Sequence, residues 1–67
     1  LNLSPKHLIK ILGVNGFSFK RTKDSHQIFH NPTTNKTVIV PLHGNKDMPK
    51  GTFFAILRQA DIDRNSI

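Results

Sequence analysis

Apolar residues along this chain follow distinct rhythms, and each rhythm predicts an element. Leu8, Ile9 and Leu12 recur at helical spacing behind Ser4 and Pro5. Serine is a favoured N-cap and proline suits the first helical position, so a helix should begin there. Gly13 weakens that helix by about 1 kcal/mol, and Gly16 after Asn15 supplies its stop. From Phe17 to Arg21 apolar and polar residues alternate, as in a half-buried strand. His26 to Asn31 reads as a second strand, and residues 31–35 (NPTTN) as a turn. Thr37 to Val40 is a β-branched third strand that Pro41 stops. Residues 42–50 read as a polar loop. Phe53, Ile56, Leu57 and Ala60 then follow the i, i+3, i+4, i+7 pattern of an amphipathic helix.

The predicted order is α-β-β-β-α, an α+β fold. Adjacent strands joined by short connections should form a three-stranded antiparallel meander with both helices on one face. Residues 1–67 fit a single domain, with no repeat or low-complexity tract. A chain of this length buries only about 60% of its unfolded surface, so a thin core is expected.

Charge narrows the choice of partner. Ten Lys and Arg stand against four Asp and no Glu, a formal +6. A small domain this basic attracts polyanions, and nucleic acid is the commonest of them; the alternative is that the charge only keeps the protein soluble. No apolar run approaches the roughly 20 residues of a membrane helix, and no signal-peptide pattern is visible. A cytoplasmic protein away from membranes is the expectation. There is no cysteine, so neither a disulfide nor a thiolate metal site is available. Two-metal chemistry needs clustered carboxylates, yet Asp24 and Asp47 fall in separate loops and Asp61 and Asp63 in the tail. No cofactor is expected.

The full-length pattern resembles one family. The stretch LIKIL..NGFSFKR is similar to the first helix and strand of the HicA family of bacterial mRNA interferase toxins, also called YcfA-like proteins. Asp24-Ser25-His26 aligns with that family's Gly-Ser-His motif. VIVPLHGNKDMPKGTFFAILRQADI resembles its third strand, its Val-Pro-x-His turn and its Lys-Gly-Thr helix opening. The resemblance implies a fold like a double-stranded-RNA-binding domain. It also implies an RNA-cleaving toxin neutralised by a HicB-like antitoxin, with His26 as the catalytic histidine. Asp24 and Asp61 stand where the family usually has glycine.

His26 can be weighed on chemistry as well. As a metal ligand it would pair with His30, but along a strand the two lie about 13 Å apart, too far for one ion. A histidine at a strand entrance can also be an ordinary surface residue. RNA offers a third use, because its 2′-OH is an internal nucleophile beside the phosphorus. Cleavage then needs a base, an acid and positive charge on the phosphate. Histidine, with an ordinary pKa of about 6.5, can serve as either base or acid.

Arg21, Lys23, Lys46 and Lys50 are the candidate phosphate holders. His43 is a candidate for the complementary acid, or a turn residue. Ser25 is a candidate support but no nucleophile, since adjacent Ser25 and His26 point to opposite faces of a strand. His7, on the outward side of the first helix, and His30 read as surface residues. Val14, beside Ile11, and Phe54, next to Arg58, fall off the core phase and suggest a protein-partner surface. The sequence therefore points to a metal-independent endoribonuclease acting on mRNA. The alternative is a non-catalytic RNA-binding module of the same fold. A purely structural interaction protein would leave the +6 charge unexplained.

Overall fold

The structure, a computed structural model, describes residues 1–44 and 46–66; Asn45 and Ile67 lie outside the described residues. Helix α1 (Pro5–Val14) leads into strands β1 (Ser18–Lys23), β2 (His26–Asn31) and β3 (Lys36–Pro41). Helix α2 (Lys50–Gln59) and a short 3-10 turn (Arg64–Ser66) follow. The strands form one open antiparallel sheet in the order β1-β2-β3. This is the predicted α+β order, with β2 in the middle.

Helix α1 is bounded as the sequence leads one to expect, by local chemistry. The Ser4 hydroxyl accepts the His7 amide at 3.2 Å and caps α1. At the other end Gly16 takes φ +93, the Phe17 amide returns to the Leu12 carbonyl at 2.9 Å, and the Gly16 amide bonds Gly13 at 3.2 Å. That is a Schellman stop, with buried Phe17 sealing it against Leu12. Helix α2 ends by the same motif: the Ile62 amide reaches the Leu57 carbonyl at 2.9 Å and the Asp61 amide bonds Arg58 at 3.1 Å. Here the left-handed residue is Asp61, at φ +61.

Leu8, Ile11 and Leu12 of α1 pack with Phe53, Ile56 and Leu57 of α2 over Phe29, Val38 and Val40 of the sheet. Both helices therefore cover one face, and the other face is open. Four residues depart from the sequence expectation. Ile11 joins the core instead of standing off it with Val14, while Ile9 is only half-buried against it. The stretch from Leu42 to Lys50 is not uniformly polar, because Met48 is buried and its amide bonds the Leu3 carbonyl at 2.8 Å. Ile62, past α2, is buried too. Ile11 stands three residues after Leu8 and so shares its helical stripe, whereas Met48 and Ile62 lie outside any periodic run, where burial depends on tertiary contacts.

Strand β1 is an edge strand with all six residues exposed, and its Lys20 and Lys23 suit an unpaired edge. It also carries a bulge between Phe19 and Arg21. Phe19 pairs with Phe29 and leans edge-on against it, ring centroids 5.8 Å apart. Arg21 pairs with Ile28 and Lys23 with His26. Lys20 is thus the extra residue, and the strand changes face at it.

Candidate active site

His26 opens β2, the strand that is hydrogen-bonded on both sides. Across the ladder it faces Lys23 of β1 and Pro41 of β3. Paired residues point to one side of a sheet and alternate residues share that side. His26, Ile28 and His30 therefore occupy the open face, while Phe29 and Asn31 are buried on the helix side. His26 is exposed, and its side chain makes no hydrogen bond among the described residues.

The bulge decides what surrounds it. Strict alternation from Phe17 would have placed Arg21 and Lys23 on the core face with Phe19. The extra residue turns them to the face of His26. Lys23, Asp24, His26, Ile28 and Ile39 then line a depression of about 250 Å³. The structure brings together His26, Lys23 and Arg21. Ile28 and Ile39 join them, although sequence reasoning gave Ile39 no role. The signal was present, since Ile39 stands between buried Val38 and Val40 and so must point outward.

Asp24 and Ser25 form the two-residue turn between Lys23 and His26. Asp24 takes φ +56, the left-handed conformation that glycine adopts without strain. The turn thus keeps a glycine-like backbone with a carboxylate added. The Ser25 carbonyl accepts the Leu42 amide at 2.8 Å, which fixes the turn to the chain leaving β3. His43 follows directly, exposed and at the same end of the sheet as His26. No hydrogen bond joins the two histidines among the described residues.

Lys46 is exposed in the loop after β3, and its amide lies 3.4 Å from the His43 carbonyl. Lys50 is the first residue of α2. That helix starts after Pro49 with no side-chain cap and no acidic residue in its first turn. Unmet amides and a lysine together make this end electropositive.

The remaining candidates lie elsewhere. Phe54 is half-buried, edge-on to Phe53 at 5.4 Å, with the Arg64 guanidinium 4.0 Å over its ring. With Arg58, Asp61 and Asp63 it lines a hollow of about 340 Å³. Val14 is 80% exposed and lines a different hollow with His7, Lys10 and Ser66. His7 stacks at 6.2 Å on Phe53, so it is less outward than the helix phase implied. His30 is held by Thr37, 2.8 Å from Nδ1 to the hydroxyl. No three His or Asp residues gather as a metal-binding group among the described residues. No helix among them is long and apolar enough to cross a membrane.

A comparison with individually curated proteins finds no match. Among known families, residues 5–62 match the one described as the HicA toxin of bacterial toxin-antitoxin. The match runs from the first residue of α1 to the buried Ile62 beyond α2, and so takes in every strand and both helices. The chain belongs to the HicA toxin family.

Proposed function

We propose that this toxin cleaves mRNA as a metal-independent endoribonuclease, with His26 as the proton-transferring residue. The observation that carries the reading is the cross-strand row Lys23–His26–Pro41 on the open sheet face. An imidazole on a backbone held from both sides stands beside a lysine that can hold a phosphate. Arg21 extends the positive charge along that face. Lys46, exposed in the loop after β3, and the electropositive start of α2 at Lys50 are further candidates for holding phosphates.

The reaction needs little else. The substrate's 2′-OH attacks the adjacent phosphorus, losing its proton to a base. The P–O5′ bond breaks, and an acid protonates the leaving oxygen. One fragment ends in a 2′,3′-cyclic phosphate and the other in a free 5′-OH. His26 serves as base or acid in this scheme, and Lys23 and Arg21 offset the charge that builds on the phosphoryl oxygens. His43 is the candidate for the second proton transfer. Ser25 supports the site through its turn, where its carbonyl accepts the Leu42 amide and ties the turn to the chain leaving β3.

As a toxin-antitoxin component the protein has a neutralising partner. We take this to be an acidic, HicB-like antitoxin that contacts the surface around Phe54, Arg58 and Val14. The mRNA substrate places both in the cytoplasm. The test is to incubate purified protein with a long RNA in EDTA and analyse the ends. Cleavage that persists and leaves 2′,3′-cyclic phosphates supports the reading. Activity that the chelator removes and a divalent metal restores would sink it. Tight binding without cleavage would favour a non-catalytic RNA-binding module.

A further inference from the structure

The ground beside His26 is apolar, and no core requirement explains it. Ile28 and Ile39 face each other across β2 and β3 on the open side of the sheet. Ile39 is 49% exposed, among the few large apolar residues left so open. The pair forms a row with Arg21, next to the row of Lys23, His26 and Pro41. Two residues along a strand advance about 6.6 Å. A phosphate held at His26 and Lys23 therefore leaves its nucleoside within reach of the two isoleucines.

The chemistry of this surface selects its occupant. Its floor offers no side-chain hydrogen-bond donor or acceptor, so it cannot read the edge of a base or bind a polar chain. Its margin carries Arg21, Lys23 and His26, with Asp24 the one carboxylate in the lining. A second copy of a chain with net charge +6 is repelled. A ligand with a flat apolar face and a negative charge beside it meets both requirements.

We infer that Ile28 and Ile39 form a floor on which a nucleobase next to the scissile phosphate rests by its face. Single-stranded RNA is thus the form of substrate this face accepts. This rests on the reading of His26 above. The isoleucines are positioning residues and take no part in proton transfer. Contact through the face of a base is tolerant of sequence, and a base stacked inside a duplex cannot make it.

The test separates docking from cleavage. Binding of a fluorescent 2′-O-methyl single strand, whose nucleophile is blocked, is compared with binding of the same strand carrying abasic positions. Ile39→Thr keeps the β-branch and removes apolar surface; it is expected to weaken the base-bearing strand about fivefold and leave the abasic strand unchanged. Ile39→Phe is expected to tighten the base-bearing strand alone. Lys23→Ala should weaken both strands alike. Equal effects of Ile39→Thr on the two strands, or no effect on either, would overturn the inference. So would a wild-type protein that binds neither strand, as expected if the face docks an acidic protein instead. A protein that cuts RNA with Ile39 indifferent loses the floor but keeps its histidine. One that cuts nothing yet shows the Ile39 pattern keeps the floor.

Discussion

The Asn31 side-chain amide donates to the main-chain carbonyl of Asn15 at 3.1 Å, joining the end of β2 to the end of α1. The same side chain accepts the Thr33 amide at 2.9 Å and the Thr34 amide at 3.3 Å through its oxygen. Among the described residues it is the buried polar one, 5% exposed, and every one of these bonds orders a connection.

Asn31→Ala is expected to destabilise the domain by about 1–2 kcal/mol, because three main-chain groups lose their partner at a part-buried joint. Chemical denaturation measures this. Gly16→Ala should act at the same joint. Its φ of +93 suits no L side chain, and an added Cβ would stand 3.1 Å from the Asn31 amide nitrogen.

His26→Ala is expected to lower cleavage by 10²- to 10⁴-fold with the fold intact. The imidazole is exposed and contributes to no core contact, so stability should move by less than about 1 kcal/mol. Affinity for an uncleavable RNA should persist. A fully active alanine variant removes His26 from the chemistry.

Lys50→Glu should separate stability from function. A carboxylate at the first position of α2 suits the helix dipole better than a lysine, by about 0.3–1 kcal/mol. The variant should melt at a higher temperature and bind RNA more weakly. Weaker binding without the gain in stability would mean that the end of α2 is already neutralised by another group.

Salt provides a check on the open face. Arg21→Ala and Lys23→Ala should each weaken RNA binding and flatten its dependence on salt, because each phosphate contact releases counterions. Affinity indifferent to salt would remove both residues from the interface.

Asp61→Gly is expected to stabilise the protein by about 0.5–1 kcal/mol. The residue occupies the left-handed stop of α2 at φ +61, where glycine carries no Cβ penalty. Thermal melting measures it, and RNA cleavage should not change.

Periodicity made the elements legible: Ser4, Pro5 and Gly16 framed α1, and the spacing of Phe53, Ile56, Leu57 and Ala60 gave the buried stripe of α2. Alternation along β2 suffices to put His26 and Phe29 on opposite faces. The neighbours of His26 were not legible in the same way. Charge marks Arg21 and Lys23 as phosphate holders, but alternation continued from Phe17 would turn them beneath the sheet, and a bulge at Lys20 leaves no periodic signature that could correct it. Met48 and Ile62 were missed because an isolated apolar residue in a loop has no rhythm to reveal its burial. The expected helix flank at Phe54 was visible, whereas the guanidinium of Arg64 above it depends on how the chain folds back after Ile62.

The main-chain bonds at Leu42 and Met48 have a kinetic consequence. Each amide is held at 2.8 Å, one by the Ser25 carbonyl beside His26 and the other by the Leu3 carbonyl ahead of α1. His43, Gly44, Lys46 and Asp47 are strung between these two anchorages. Releasing either anchorage would change where His43 and Lys46 can reach, while the ladder of β2 kept His26 in place. The solvent-exchange rates of the Leu42 and Met48 amides therefore act as two clocks on one span. If they run together, the span opens as a unit. If they run apart, the slower one marks the end from which it swings.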